Sequence, residues 1–328
     1  MTAGVGRRLM AMACALATAS CARLIGARGL DVARAGETTF HTLRVDGRMR
    51  SYLLHLPPTA RAGVPLPLVL AFHGYTGNAN IQMETTGLND AADRAGFAVA
   101  YPNGTGRLRY AGLTWNAATC CGSAERLRVD DVAFARALVD TLVHRVGIDS
   151  TRVFATGFSA GGMMALLLAC QSRPFIAGAA DVAGAMPDTT CATSRRLPVM
   201  LVRGDADDEL RKDHLVHRHR NNHRYAVSFV GARQFWALHD GCGAGVARDS
   251  EPAFVRIEAR DCPPGLDVRE VVVRGQAHAW PGGSRPWPFS PAPARGVDAS
   301  DMIVRFFAAE SAAARGLASD HAAAARAP

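Results

Sequence analysis

The chain has 328 residues, of which 48% are hydrophobic and 20% charged, with a formal net charge of +8. That composition is globular rather than disordered, and the length suits one large α/β domain or two small ones with a substantial core. The positive charge is almost all arginine, Lys212 being the only lysine, and no basic helix interleaved with aromatics points to nucleic acid.

Residues 1–22 read as an export signal. Arg7-Arg8 form the charged start, an apolar run follows from Leu9 to Ala19, and small residues close it. The run is too short for a membrane span. Ala17-Thr18-Ala19 fits an ordinary signal-peptidase site, and Thr18-Ala19-Ser20-Cys21 fits a lipoprotein box that would place a lipid anchor on Cys21. Either reading exports the chain, as a secreted protein or a membrane-anchored lipoprotein. Beyond the signal lie Cys120, Cys121, Cys170, Cys191, Cys242 and Cys262, an even set that suggests disulfides in an exported protein. Cys242 and Cys262 flank a short polar excursion and are expected to pair. A bridge between the adjacent Cys120 and Cys121 is strained, so each is expected to find a distant partner, with Cys170 and Cys191 as candidates. No C-x-x-C pair supports a metal site.

Thr42 to Leu56 reads as a hairpin turning at Asp46-Gly47, two residues that tolerate positive φ. Leu66–Phe72 (LPLVLAF) is an unbroken apolar run, as expected of a strand buried on both faces, and leads into His73-Gly74. Phe97–Tyr101 is a second such strand. Val129–Val146 carries Val132, Ala135, Leu138, Val139 and Leu142 at helical spacing, with Asp130 and Asp131 in its first turn. Those two acids are read as capping or hydrogen-bonding groups rather than a catalytic pair, because adjacent helical residues diverge. Further strands are predicted at Ala177–Gly184, Leu197–Val202 and Val268–Val273, and a helix at Ser300–Ala312. Strands alternating with helices imply a mainly parallel sheet covered on both faces. One domain is expected over residues 40–312, and the Ala- and Arg-rich residues 313–328 as a disordered tail.

The chemistry centres on Arg152–Cys170, RVFATGFSAGGMMALLLAC. An apolar strand runs into Gly157-Phe158-Ser159-Ala160-Gly161, and an apolar helix leaves it. This is the G-x-S-x-G nucleophile elbow in its strand–turn–helix setting, which exposes the serine hydroxyl at a strained turn. A serine needs a base, and the base needs an orienting carboxylate; in such sheets they follow in the order acid, then histidine. Asp205, Asp207 and Asp208 compete for the acid after the Leu197–Val202 strand, and His278 follows the Val268–Val273 strand. The oxyanion hole needs two backbone N–H groups, from Ala160 and, after His73-Gly74, from Tyr75.

Taken together these segments resemble the secreted esterases grouped as polyhydroxybutyrate depolymerases and feruloyl or acetyl-xylan esterases. The matching stretches are LVLAFHGYTGNA from Leu68, YPNG from Tyr101, WNAATCCG from Trp115, VDDVAFARALVD from Val129, the elbow itself, and HAWPGG from His278. The resemblance implies an α/β-hydrolase fold, Ser159 as nucleophile, Asp207 as acid, His278 as base, and Tyr75 and Ala160 as the oxyanion hole. It also implies an ester substrate, such as a hydroxyalkanoate chain or acylated plant polysaccharide, with no metal or organic cofactor. Trp115, Asn116 and Trp280 fall in the shared motifs and are expected to wall the site.

The chain departs from the family pattern in two places. Arg203-Gly204-Asp205-Ala206-Asp207 stands where H-G-T-A-D is usual, followed by Asp208-Glu209-Leu210 instead of a V-P-Y-like segment, and Gln276-Ala277 stands where two glycines are common. Arg211–Tyr225 replaces a short loop. Its His214, His217, His219 and His223 lack a metal-site spacing, so it reads as a basic surface or lid that would favour anionic substrates. Trp287 is either a lid aromatic or a packed one. The reading is an exported, monomeric serine esterase. A serine peptidase of the same fold and a non-catalytic surface protein are the alternatives; the absence of a second domain to gate peptides argues against the first, and the intact Ser, Asp and His against the second.

Overall fold

In the computed structural model, residues 34–118, 120–186, 191, 193, 195–211 and 229–324 are described. The described chain enters through a hairpin of β1 (Thr38–Val45) and β2 (Arg48–His55). Asp46 and Gly47 turn it with φ of 47° and 74°, the left-handed pair of a type I′ turn. Pairing begins at Thr38 rather than Thr42, because the half-buried alternation of β1 already starts there.

β3 (Leu66–Phe72), α1 (Ala79–Thr86), α2 (Leu88–Ala95) and β4 (Ala98–Pro102) come next. They are followed by α3 (Gly122–Arg126), α4 (Asp131–Val146), β5 (Ile148–Phe158), α5 (Ala160–Ala169) and β6 (Gly178–Val182). The last group is β7 (Val199–Gly204), α6 (Asp208–Arg211), α7 (Phe229–Asp240), β8 (Val246–Ser250), β9 (Phe254–Ala259), β10 (Val268–Val273) and α8 (Ala299–Ala324).

The strands form one sheet in the order β1-β2-β4-β3-β5-β6-β7-β10-β9-β8. From β4 to β10 every neighbouring pair is parallel, and antiparallel pairs occur only at the two edges. Parallel neighbours need crossover connections, and the crossover helices cover both faces. Along β3, Leu66, Leu68, Leu70 and Phe72 join a core with Phe134 of α4, Met164 of α5 and Trp236 of α7. Val69 and Ala71 point the other way, into a second core with Leu88 of α2 and Phe307 of α8. The unbroken apolar run of β3 is thus two alternating sets. Phe154 of β5 stacks on Phe307 at 4.6 Å between ring centroids, and burying each ring is worth about 1.5–3 kcal/mol. This is the α/β-hydrolase architecture.

Asp130 caps α4 by accepting from the Ala133 N–H at 2.8 Å. Asp131 is buried and pairs with Arg50 at 2.7 Å, so the two acids do diverge. Cys242 is bonded to Cys262. The expectation for the other four cysteines is corrected: Cys170 bonds Cys191, and Cys120 is linked to its neighbour Cys121. Cys170 ends α5 close to Cys191, with 4.6 Å between their Cα atoms, which leaves the adjacent pair only each other. A second difference lies at the C-terminus, where α8 continues to Ala324 through residues expected to be unstructured. Alanine is the residue least costly to hold in a helix, so an Ala-rich stretch prolongs a helix already nucleated by packing.

Candidate active site

β5 delivers the chain into Gly157-Phe158-Ser159, and α5 begins at the next residue. Ser159 has φ 54° and ψ −119°, a region that a non-glycine residue occupies only when its surroundings hold it there. A hydrogen bond of 2.8 Å from the Ser159 N–H to the Val182 carbonyl does part of this. Close packing does the rest: a Cβ on Gly157 would overlap the Gly161 carbonyl, and one on Gly161 would overlap the carbonyl of Phe72. Ala160 is the first residue of α5, so its N–H is among those a helix start leaves without an intrahelical acceptor. The helix dipole adds partial positive charge there.

β7 and β10 are parallel neighbours, with Gly204 opposite Val273, so the loops that leave their ends rise side by side. Of the three competing carboxylates, Asp207 meets the histidine. It is fully buried, and its Oδ2 lies 2.8 Å from His278 Nδ1. His278 Nε2 lies 3.0 Å from Ser159 Oγ. A carboxylate only accepts, so Nδ1 carries the proton and Nε2 is left to accept from the serine hydroxyl. Asp205 instead accepts from the Gly275 N–H at 2.6 Å, tying the two loops together, and Asp208 starts α6. Burial pulls the His278 pKa down, but hydrogen bonding and charge from Asp207, with charge from Glu209, outweigh it and leave it above the ordinary value.

His73-Gly74 is more than a tight turn. His73 Nδ1 donates to the Gly74 carbonyl at 2.8 Å, and Nε2 accepts from the Gly104 N–H at 3.0 Å. The ring is fully buried, which lowers its pKa to about 4 and keeps it neutral, as both bonds require. His73 thereby pins the loop that carries Tyr75 to the loop after β4. Tyr75, Phe158, Ser159, His278, Trp280 and Trp287 line a cleft of about 340 Å³. Trp287 is 60% exposed there, a cleft-edge aromatic rather than a packed one. A separate hollow of about 560 Å³ is lined by residues 282–285 and 292–297 and includes none of Ser159, Asp207 or His278.

Two of the expected wall residues are placed elsewhere. Trp115 is fully buried behind His73, its indole N–H donating to the His73 carbonyl at 2.9 Å. Asn116 faces Asp131 and Val129, through bonds of 2.8 and 2.9 Å. Both brace the loops around His73, which is why they belong to the motif without reaching the cleft. Trp280 borders the cleft, but its indole N–H is turned to Ser300 at 3.1 Å. Glu209 lines the cleft as well and was missed by sequence reasoning; the departure from the V-P-Y pattern was its only signal. The export signal with Cys21, and the segment bearing His214, His217, His219 and His223, lie outside the described residues.

Residues 50–211 match the family described as Esterase PHB depolymerase. A protein of Nocardia uniformis subsp. tsuyamanensis, NocK, named as an esterase, is 34% identical over 272 residues, covering 76% of this chain and 76% of that protein. The chain belongs to the esterase PHB depolymerase family. Feruloyl esterase B of Piromyces equi is 27% identical over 249 residues, 73% of this chain and 44% of its own length. The poly(3-hydroxybutyrate) depolymerase of Ralstonia pickettii is 25% identical over 304 residues, 81% and 60% respectively. This chain therefore spans about half the length of those two relatives. An acetyl xylan esterase from Aspergillus awamori shares the fold, with a TM-score of 0.53 at 14% identity over 82% of this chain and 98% of that one. By family and fold the protein is a carboxylic ester hydrolase.

Proposed function

We propose that this esterase works through an acyl-enzyme on Ser159. The observation that carries the reading is the unbroken line from a buried Asp207 through His278 to Ser159, with contacts of 2.8 and 3.0 Å. Ser159 Oγ attacks the ester carbonyl carbon while its proton passes to His278 Nε2. The carbonyl electrons move onto an oxyanion, which the N–H groups of Tyr75 and Ala160 stabilise. The bond to the alcohol oxygen then breaks, and His278 returns the proton to the leaving alcohol. Water repeats the sequence in reverse roles, releasing the acid and restoring the serine. Asp207 holds the imidazole in the required tautomer and balances the imidazolium. Oxyanion donors of this kind are each worth about 3–4 kcal/mol in the transition state.

The relatives' names and the open cleft support a substrate class of hydroxyalkanoate oligomers or polymers, or acylated plant polysaccharide, which the proposal has an exported monomer meet outside the cell. Mass spectrometry of the mature N-terminus separates cleavage after Ala19 from lipidation at Cys21. Hydrolysis of short p-nitrophenyl esters, measured beside Ser159→Ala, tests the central reading. Turnover that survives in the variant, or a folded wild type without any turnover, rejects it. A panel of feruloyl, acetyl-xylan and hydroxybutyrate esters then ranks the substrates.

A further inference from the structure

The side chain of Glu209 occupies a place that neither the elbow nor the Asp–His pair requires. Its backbone N–H donates to Asp207 Oδ1 at 3.1 Å, so the buried group that orients His278 also fixes where Glu209 begins. From there Glu209 Oε2 reaches 3.6 Å from His278 Nε2, the nitrogen that faces Ser159. That is an ion-pair separation, too long for a hydrogen bond. The side chain is 71% exposed, so this carboxylate stands at the edge of the cleft, open to whatever enters. Among the described residues lining the cleft, the others apart from His278 are neutral near pH 7.

Position decides which part of a substrate meets it. His278 Nε2 is the atom that hands a proton to the departing alcohol, and the alcohol portion of a bound ester therefore passes beside Glu209. We infer that Glu209 sets the charge specificity of the cleft on its alcohol side, favouring esters whose alcohol portion bears a cation and disfavouring those with an anion near the scissile bond. This is the opposite sense to that expected from the basic Arg211–Tyr225 segment. The inference rests on the reading of Ser159 as nucleophile. A unit charge about 6 Å away changes the interaction roughly threefold under water-like screening, and more once the ester displaces water. Salt weakens the effect.

The test uses three acetate esters of matched size with the full chain: acetylcholine, its neutral carbon isostere 3,3-dimethylbutyl acetate, and an acetate of similar length ending in a sulfonate. Values of kcat/KM are compared at low and high salt for the wild type, Glu209→Gln and Glu209→Lys, with a fluorophosphonate probe reporting labelling of Ser159. The expected wild-type order is cationic over neutral over anionic, spanning about tenfold at low salt. Glu209→Gln brings the esters together and Glu209→Lys inverts the order. An order that is flat in the wild type, or unchanged in Glu209→Gln, overturns the inference while labelling of Ser159 still upholds the nucleophile. Folded protein that neither labels nor hydrolyses any of the three sinks the nucleophile reading, and the charge specificity with it.

Discussion

The buried amide of Gln276 accepts a hydrogen bond from the Ala294 N–H. Its Nε2 donates to the carbonyls of Ala277 at 2.8 Å and Ala292 at 3.5 Å. The residue that stands where the family commonly has glycine thus fastens the His278 loop to the Pro-rich strap, whose Trp287 edges the cleft. Replacing it by alanine takes the acceptor from the part-buried Ala294 N–H, a loss of about 1 kcal/mol. Gln276→Ala is expected to lower the unfolding midpoint in calorimetry and to reduce kcat/KM, without moving the pH profile.

Ser159→Ala removes the proposed attacking oxygen and is expected to lower ester turnover by roughly three to six orders of magnitude, with the fold intact by circular dichroism. Asp207→Asn keeps the shape but permits the wrong imidazole tautomer, and a loss of about four orders in kcat is expected. A residual rate within tenfold of wild type in either variant contradicts the assigned roles.

The pH profile carries a sign. In the proposed mechanism His278 acts as a base only when neutral, and its pKa lies above the ordinary 6.5 because Asp207 and Glu209 outweigh burial. Activity is therefore expected to fall by about tenfold per unit as pH drops through that raised value. Glu209→Gln removes one of the two carboxylates facing the ring, so the acidic limb of kcat/KM should move to lower pH. A limb that stays in place, or moves upward, is the contrary outcome.

Asp181 lies wholly buried beside the elbow. Its Oδ1 accepts from the Gly184 N–H at 3.0 Å, while its Oδ2 has no hydrogen-bond partner among the described residues. Burial pushes its pKa well above the ordinary 3.8, so folding favours the protonated carboxyl relative to the unfolded chain. The linkage makes stability largest below about 4 and lets it decline as pH rises toward the folded value, by up to about 1.4 kcal/mol per unit. Asp181→Asn keeps an acceptor for Gly184 and should flatten that decline. Thermal midpoints measured from pH 4 to 9 for both proteins decide it.

Much of the site was legible because its chemistry is bound to local chain geometry. The Gly157–Gly161 spacing signals a turn too tight for side chains, and the order Ser159, Asp207, His278 follows from loops leaving successive strand ends. Choosing among Asp205, Asp207 and Asp208 needed either the resemblance or the register of β7 against β10, because carboxylates at such close spacing are alike until their directions are known. Trp115 and Asn116 misled for a related reason. A motif reports that residues matter together, and here they brace His73 rather than touch the cleft. Cys242 and Cys262 pair as their short excursion suggested, but the bond between Cys170 and Cys191 escaped: nothing local to Cys170 shows that Cys191 returns beside the end of α5. Helices α1 to α3 and α7 and the β8–β9 hairpin were not anticipated, being short, amphipathic only in part, or exposed.

Asp207 and His278 follow adjacent strands, yet α6, α7 and the β8–β9 hairpin all lie between them in the chain, and that hairpin extends the sheet beyond β10. Loop-closure cost grows only slowly with length. Segments can therefore be lengthened, shortened or exchanged between Asp207 and Val268 while the parallel pairing of β7 with β10 keeps the proton relay in register. The architecture lets a lineage remodel what the enzyme meets at its rim and leave untouched the machinery that cuts the bond.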